Sequence, residues 1–451
     1  MTAEKLKKQI CAAIEARREE IIDLGEHLFR CPELGYREHR TAAVIEEQFR
    51  NLGLAWRRGV AITGLKAVMH GRESRVRAGV IGEMDAIRCY GHPAADPHTG
   101  AAHACGHHAG LAAMVGVAMG LLDSGAMEHL DGDVVLMALP AEEFVDMEFR
   151  QKLQQEGKIR FLGGKQEWIA RGEFDDVDLC MMVHLESDLP ERRAKVGGSS
   201  NGFLGKSIRY LGREAHAGAS PHEGINALNA ALLGIIGIHL QRETFREADT
   251  IRIHPIITRG GDLVNIVPAD VRLETYVRGR TMEAIASANR KVNRALQAGA
   301  LAIGCRVEIQ DFPGYLPLRS DERLSSLFAR NSASLIGEEN VLPGDHMTGS
   351  TDMGDVSQLM PSIHPSIGGT RGRCHTSDFS VVDAEMAYVI PAKAMAMTLI
   401  DLLANGAREG LAIKNHHRPS LGREGYLRVW QDILGEDLAV PVAKDNDPGE
   451  G

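Results

Sequence analysis

A stretch of seven residues, 102–108, contains three histidines and one cysteine directly before a run of small apolar residues, 109–122. The apolar run predicts a buried helix, so these donor residues stand at a helix start. Imidazole and thiolate are ligands that zinc and related metals prefer, and a helix N-terminus favours the thiolate form of Cys105. A satisfied core histidine beside a buried cysteine would explain the same residues. The stretch therefore leaves a metal site and a structural role both open.

The size and charge of the chain limit its class. Its 451 residues exceed one ordinary core and predict two domains. A formal charge of −10 without a basic stripe argues against a nucleic-acid partner. The charged, helix-like start lacks an apolar signal core, and we find no apolar stretch of about twenty residues that would span a membrane. The 7 scattered cysteines favour a reducing cytoplasm over a disulfide framework.

The first part of the chain alternates helices with strands. Helices are predicted at 3–30 and 38–52, and buried strands at 78–81, 134–139 and 178–183. Polar residues gather just past the strand ends, where the sites of α/β proteins form. This part is therefore expected to be a mostly parallel sheet flanked by helices.

A different order begins at about Gly198. Its strands and helices are predicted, in chain order, at 207–211, 224–240, 250–258, 271–277, 282–302 and 307–310. This β-α-β-β-α-β order is typical of a ferredoxin-like α+β domain. The α/β pattern resumes from Arg323 and includes a last helix at 384–403. The second domain is therefore predicted to be inserted in the first.

The predicted fold class is α/β, with a catalytic domain and an inserted ferredoxin-like domain. The predicted boundaries are 1–197 and 314–411 for the two parts of the catalytic domain, 198–313 for the insertion, and 412–451 for a C-terminal extension. Its polar end, 443–451, contains Gly and Pro and is predicted to be disordered.

Four separated segments offer metal ligands. They carry Cys105 with His107, the pair Glu142 and Glu143, His184, and His375. Singly, each has a simpler interpretation: a solvated turn for the glutamates, a capped core residue for His184 and plain surface for His375. Together they supply the oxygen, nitrogen and sulfur ligands of a dinuclear site.

The adjacent glutamates allow a division of labour. One carboxylate can bind metal while the other acts as base on a metal-activated water. Asp85, which follows the strand at 78–81, can orient a ligand imidazole through a hydrogen bond. The alternative for Asp85 is a solvated acid in a turn.

Several short motifs occur along residues 20–405 in a fixed order. They are 32–35, 83–86, 103–107, 140–143, 215–217, 221–228, 265–268, 349–352 and His375. Through them the chain resembles the zinc-dependent amidohydrolases and metallopeptidases related to aminoacylase. The likeness is greatest to the branch of hippurate, auxin-conjugate and aminobenzoyl-glutamate hydrolases.

The resemblance implies two divalent metal ions per chain, with zinc expected and manganese or cobalt as alternatives. The implied metal ligands are Cys105, His107, Glu143, His184 and His375. Glu142 is implied to be the general base, with Asp85 supporting a ligand. The inserted domain is implied to be a lid that also forms a homodimer, and its His216 to polarise the substrate carbonyl, often from the partner subunit.

Two further lid residues fall where the family binds substrate, namely Asn265 and Arg278. By themselves they would be interpreted as a turn residue and a solvated strand end. The apolar series at Leu228, Leu232, Leu233 and Ile236 is more typical of a core than of an interface, so the homodimer is expected from the resemblance only.

The chain departs from the hippurate-type pattern at three places. His108 replaces an aspartate and can be an extra donor or a group that contacts a ligand. Thr351 replaces a glutamate, as in the aminobenzoyl-glutamate hydrolase B subunit and the mammalian dipeptidase-like relatives. Residues 81–83 replace Arg-Ala-Asp. The loop 92–98 is either a specificity loop or a long connection. These departures leave the substrate open, but not the reaction type.

The expected function is hydrolysis of the amide bond of N-acyl or aryl-acyl amino acids, or similar small carboxylates, by a metal-dependent cytoplasmic enzyme. One alternative is a dipeptidase. Another is a catalytically silent partner subunit, but the intact Glu142 argues against a silent subunit. A further rival is a thiol hydrolase with Cys105 as nucleophile and His107 as base.

Overall fold

The computed structural model describes residues 1–187, 189, 192–419 and 421–434. The segment 443–451, predicted to be disordered, lies outside these ranges. The α-helices of the described ranges are α1 (Ala3–Ala16), α2 (Arg18–Phe29), α3 (His39–Asn51), α4 (His107–Asp123), α5 (Met147–Gln155), α6 (Gly164–Ala170), α7 (Ala227–Leu240), α8 (Met282–Ile303), α9 (Glu322–Ile336), α10 (Met353–Leu359), α11 (Ile390–Leu403), α12 (Arg408–His416) and α13 (Arg423–Leu434).

The strands of the same ranges are β1 (Trp56–Val60), β2 (Gly64–Met69), β3 (Arg77–Glu83), β4 (Ile87–Arg88), β5 (Ala101–Ala102), β6 (Asp133–Leu139), β7 (Leu179–Met181), β8 (His184–Leu185), β9 (Ala194–Val196), β10 (Ser199–Ser200), β11 (Gly202–Leu211), β12 (Arg252–Ile253), β13 (Ile256–Arg259), β14 (Asp270–Gly279), β15 (Arg306–Pro313), β16 (Val341–Pro343), β17 (His346–Met347), β18 (Ser362–Ile363), β19 (Ser366–Ile367), β20 (Thr370–Arg371) and β21 (Ser380–Val381).

The larger sheet has the strand order β1-β2-β6-β3-β7-β18. Strands β6, β3, β7 and β18 pair in parallel, whereas β1 and β2 form an antiparallel edge. Alternate residues of β6 enter two apolar clusters: Val134 and Leu136 join the one that contains α1, α2, α4 and α11, and Val135 and Met137 join the other. Because both faces are covered, β6 is a continuous apolar run. The predicted α/β class is confirmed.

The second sheet has the order β12-β14-β11-β15, with β13 also paired to β14, and all its neighbours are antiparallel. Val271, Leu273 and Val277 of β14 are fully buried in the apolar cluster that contains α7 and α8. The even-numbered residues of β14 therefore point to the opposite face. The chain order and the spatial order are those of the predicted ferredoxin-like fold.

Two predicted elements are divided in the structure. The helix predicted at 3–30 is two helices, because Arg17 leaves the helical backbone (φ −98°, ψ 11°) and its Nε lies 2.8 Å from Asp123 Oδ2 at the end of α4. The strand predicted at 250–258 is β12 and β13, separated at His254 and Pro255. Proline has no N–H for the ladder, so it interrupts the strand.

The apolar series of α7 is not a core face, which corrects the interpretation from sequence. Leu232, Leu233 and Ile236 are 44%, 41% and 54% exposed. The buried face of α7 consists instead of small residues and Ile238. Gly234 faces α8 closely, since an added Cβ would lie 3.4 Å from the Leu296 backbone. The larger apolar residues are consequently turned outward.

The last helix predicted, 384–403, begins as a π-helix at Glu385–Val389 and continues as α11. Pro391 cannot donate to a carbonyl one turn earlier, and a wider turn accommodates that loss. By length and composition alone Glu385–Leu403 is the one helix of the described residues that could cross a membrane. However, 89% of its most apolar window is buried inside the fold, as in the core helix of a soluble protein.

Candidate active site

The segment that carries Cys105 and His107 joins β5 to α4. Gly106 precedes the helix with a left-handed backbone (φ +89°), and a Cβ there would lie 2.8 Å from that of Leu185. Glycine is suited to such a position because it has no Cβ. Cys105 and His107 therefore flank a tight turn, and both are buried.

His107 is oriented by Asp85. Its Nδ1 lies 3.0 Å from the Asp85 carbonyl oxygen and 3.2 Å from Asp85 Oδ1, while Asp85 Oδ2 accepts a hydrogen bond of 2.8 Å from the Glu143 backbone N–H. Nδ1 therefore carries the proton and Nε2 is free to bind a metal. This Nε2 is buried without a hydrogen-bond partner, 3.4 Å from Glu83 Oε2 and 3.8 Å from Glu142 Oε2.

Cys105 connects two groups of donor atoms. Its Sγ lies 3.4 Å from His184 Nε2 and 3.3 Å from His375 Nε2, and the latter is 3.1 Å from Glu143 Oε1. In the sets Cys105–His107–His184 and Cys105–Glu143–His375, the ligand atoms all lie within 4.8 Å of one another. His184 Nδ1 donates to the Leu185 carbonyl at 2.6 Å, which leaves its Nε2 free as well.

These donors fit divalent metal ions. Imidazole nitrogens, one sulfur and a carboxylate converge from segments that are far apart in the chain, and Nε2 of His107 is buried without a hydrogen-bond partner. Nitrogen, sulfur and oxygen in one small site are ligands typical of zinc. A third group of Glu83, His107 and Glu142 adjoins the first.

The loop that carries the two glutamates has a strained backbone held by buried polar side chains. Ala141 has φ +57°, and its N–H donates to Glu38 Oε1 at 2.9 Å. The buried guanidinium of Arg150 donates to the carbonyls of Leu162 (2.7 Å) and Glu143. Strain of this kind is common at functional sites, and these contacts maintain it.

The two glutamates have opposite electrostatic environments. Burial, and then the charge of Glu83, raise the pKa of Glu142 well above its ordinary value. Burial also raises the pKa of Glu143, but the charge and hydrogen bond of His375 outweigh it and hold that pKa at about 2. A carboxylate that stays ionised suits a metal ligand, and one that readily accepts a proton suits a base.

Behind the site, Lys165 is fully buried between two carboxylates. Its Nζ lies 2.5 Å from Asp352 Oδ1 and contacts Glu83 Oε1. Burial lowers the pKa of Lys165, but the charges of Asp352 and Glu83 outweigh it and raise that pKa above its usual range. Lys165 is therefore the counterion of the acid that faces His107.

The lid reaches the site through β14. Tyr276 donates its hydroxyl proton to the Phe144 carbonyl, directly after Glu143, and Arg278 Nη1 donates to Ser350 Oγ at 2.7 Å. The Arg278 guanidinium lies 5.2 Å from the ring centroids of both Phe203 and Tyr276. Arg278 is therefore mostly buried and fixed by its neighbours, unlike the solvated strand end that its own sequence context suggests.

The structure does not bring His216 or Asn265 to the donor cluster. His216 is exposed, and its Nδ1 accepts backbone N–H groups from Gly218 (3.1 Å) and Ala219 (3.0 Å), so Nε2 carries the proton. The Asn265 carbonyl accepts from Ala217 at 2.9 Å. Within the described residues, no hydrogen bond, ion pair or ring contact links His216 or the Asn265 side chain to the metal-ligand candidates.

His108 is not at the cluster either. It is buried against the rings of Phe29, His103 and Tyr388, and neither of its ring nitrogens has a hydrogen-bond partner in the described chain. The thiol of Cys105 bears on the rival hypothesis of a nucleophilic cysteine. A hydrogen bond with Cys374, and then burial, raise the pKa of its thiol well above the ordinary value, which disfavours a nucleophilic cysteine.

Sequence reasoning missed the residues that support the site. Glu38, Arg150, Lys165 and Cys374 carry no motif that was used, although a charged residue within an otherwise buried segment is a usable signal. Lys165 has that signal, because it is a charged residue inside the buried helix α6.

Donor atoms converging from distant segments beside a buried carboxylate define the class of this site as a metallohydrolase centre. The model of peptidase family M20/M25/M40 matches residues 79–400, and the chain belongs to that family. It is a hydrolase that acts on C–N bonds, and the family implies divalent metal ions.

Two proteins of similar sequence have different named activities. The Xaa-Arg dipeptidase of Homo sapiens is 30% identical over 447 residues, which cover 91% of this chain and 93% of that protein. An IAA-amino acid hydrolase of Arabidopsis thaliana, ILR1-like 4, is 24% identical over 77% of each chain.

Solved structures share the fold. An M20 peptidase from Bacillus subtilis, described as dinuclear metal binding, aligns with a TM-score of 0.65 at 21% identity, over 86% of this chain and 99% of that one. A protein from Staphylococcus aureus described as an aminohydrolase aligns with a TM-score of 0.70 at 21% identity, over 88% and 99%.

Proposed function

We propose that this protein hydrolyses the amide bond between an acyl group and an amino acid, or a similar small carboxylate, with two divalent ions, zinc by preference, held by Cys105, His107, Glu143, His184 and His375. The observation that carries the proposal is the convergence of these five donors beside the buried Glu142. Bound ions would polarise the substrate carbonyl and make water more acidic.

The chain's own groups supply the proton transfers. Glu142 takes a proton from the attacking water and passes it to the leaving nitrogen. Its raised pKa suits both steps, because it is basic enough to accept the proton and acidic enough to return it. Asp85 supports this chemistry indirectly by fixing the ring of His107.

Arg278 is the group that we assign to the carboxylate of the substrate. A guanidinium can grip a carboxylate with two parallel hydrogen bonds. One nitrogen of Arg278 is held by Ser350, and the residue lies on the lid face that meets the catalytic loop. Arg278→Ala should weaken the binding of substrates with a free carboxylate more than the binding of the matching amides. An equal loss for both would assign Arg278 a structural role.

Substitution of the glutamates separates their two roles. Glu142→Gln should keep the metal and lose roughly two to four orders of magnitude in kcat. Glu143→Gln should lose metal as well, because its carboxylate lies among the donors. Metal content and turnover of both variants test this, and a greater loss of metal in Glu142→Gln would reverse the assignment.

A dipeptidase is the second candidate. It is favoured by the Xaa-Arg dipeptidase of Homo sapiens, which matches nearly the whole of this chain at 30% identity. The two candidates differ in the acyl group and share a leaving amino acid with a free carboxylate. Comparing hydrolysis of N-acetyl amino acids with that of the corresponding alanyl dipeptides decides between them.

A homodimer through the lid would bring in His216. Leu233, Ile236 and Leu240 of α7 are exposed, and so are Ile256 and Ile257 of the edge strand β13. An edge strand and an apolar helix face are surfaces that a two-fold partner can cover. His216 is itself exposed, with a protonated Nε2 that can donate to an oxyanion of a neighbouring subunit.

Mixing two inactive variants tests this assembly. If His216 acts across the dimer, hybrids of His216→Ala and Glu142→Gln contain one site with both groups intact. Random exchange should then restore about a quarter of wild-type activity. No recovery after verified subunit exchange would contradict the assignment.

A further inference from the structure

The lid carries a cleft on the face of β14 that meets the catalytic loop. It encloses about 290 Å³, and its walls include Arg252, His254, Ile256, Glu274, Tyr276 and Arg278. Directly paired residues of neighbouring strands share one face, and Arg252 pairs with Arg278 while Ile256 pairs with Glu274. The cleft therefore extends along β14 away from the site.

The charges of this cleft are separated by sign. Arg278 and Arg252 stand together at the end near the metal-ligand candidates, and Glu274 stands four residues earlier on the same strand. At about 3.3 Å per residue, the Cα atoms of Glu274 and Arg278 are roughly 13 Å apart. A ligand lying along the cleft meets a cationic end and an anionic end.

The anionic end lacks a counterion. Glu274 is half-buried, and within the described residues no hydrogen bond or ion pair engages its carboxylate. Burial, and then the negative charge of Glu148 in α5, raise the pKa of Glu274 above its ordinary value. Two carboxylates from different parts of the chain thus repel one another. A cation between them would remove this repulsion and would offset the free-energy cost of burying the Glu274 carboxylate.

We infer that this cleft selects a leaving amino acid with a long cationic side chain, such as arginine or lysine. Arg278 binds the α-carboxylate of that residue and Glu274 binds its side-chain cation. A short side chain held at Arg278 does not reach Glu274. The inference rests on the function proposed above and adds the substrate class to it.

The test compares substrates that differ only in charge. Citrulline has the shape of arginine with a neutral urea, so N-acetylarginine with N-acetylcitrulline, and alanylarginine with alanylcitrulline, are matched pairs. The wild type should prefer the arginine member of an accepted pair by at least about tenfold in kcat/KM, the scale of one charge-assisted hydrogen bond. Glu274→Gln should abolish this preference mainly through KM. Glu274→Lys should reverse it.

The control is Glu283→Gln, an exposed glutamate at the start of α8 on the other side of the lid sheet, which should keep the wild-type ratio. If the wild type hydrolyses the citrulline members equally well, or if Glu274→Gln keeps the preference, the inference is overturned while the proposed function stands. If the wild type hydrolyses none of the four but does hydrolyse N-acyl derivatives or dipeptides of other amino acids, the inference is overturned and the proposed function stands. If the metal-loaded wild type hydrolyses no N-acyl amino acid and no dipeptide, the proposed function itself fails.

Discussion

Replacing Lys165 by methionine tests whether one buried cation holds the charged support of the site together. Lys165, Glu83 and Asp352 have side chains that are 0%, 3% and 0% exposed. Methionine has a similar length without the charge, so it leaves two buried carboxylates without their cation.

The expected loss follows from that burial. Removing one partner of a buried ion pair costs about 3–5 kcal/mol, because the charge left behind is neither solvated nor paired. Lys165→Met should therefore lower the free energy of unfolding by about this amount, whereas Lys165→Arg keeps the charge and should lose less. Denaturant unfolding of metal-free protein measures the difference.

The dependence on pH supplies an independent check. The folded pKa of Lys165 is raised, so its contribution to stability is complete below its unfolded pKa near 10.4 and is lost only as the pH rises through the folded value. The pKa of Asp352 is about 6, raised by burial against the opposing charge of Lys165. Without Lys165 the pKa of Asp352 rises further, and protonation of Asp352 at low pH removes part of the destabilisation of the variant. The free energy of unfolding of Lys165→Met should consequently lie closer to that of the wild type at pH 5 than at pH 8.

Two further variants isolate the cause. Lys158→Met removes an exposed lysine paired with the exposed Glu156 and should change little, because water already solvates both groups. Adding Asp352→Asn to Lys165→Met should recover part of the loss, because it removes one orphaned charge. If Lys165→Met unfolds within about 1 kcal/mol of the wild type, water reaches these groups and the buried-charge reasoning is wrong.

Three other predictions concern the metals and the catalytic loop. Asp85→Asn should weaken metal binding by about 10–100-fold, because the ring of His107 loses its carboxylate partner and keeps only neutral acceptors; unchanged affinity in equilibrium dialysis would contradict this. Chelation should abolish activity and lower Tm, and zinc should restore both, because ions that bind the folded state stabilise it; full activity of verified metal-free protein would refute the metal mechanism. Gly164→Ala should destabilise the fold by about 1–3 kcal/mol, since its Cβ would lie 1.6 Å from the Pro140 carbonyl oxygen; a wild-type midpoint in thermal unfolding would show that this loop yields easily.

Much of the fold could be predicted from local pattern. The strand at 134–139, the helix after His107 and the six elements of the lid follow from apolar periodicity, and the structure has them with boundaries that differ by a few residues. Errors arose where one residue interrupts a continuing pattern, as at Arg17 and Pro255. The exposed face of α7 was misjudged because periodicity shows that a face is apolar, but not what covers it.

The sequence by itself determined the inventory of the site, because the types of donor residue and their order along the chain are local facts. Only the tertiary structure decided which donors meet, since Cys105, Glu143 and His375 come from segments up to 270 positions apart. It also decided the electrostatics. The opposite pKa shifts of Glu142 and Glu143, the burial of Lys165 between two acids and the isolation of Glu274 all depend on desolvation and on charges brought near by folding. Neither is a property of a residue in its local sequence.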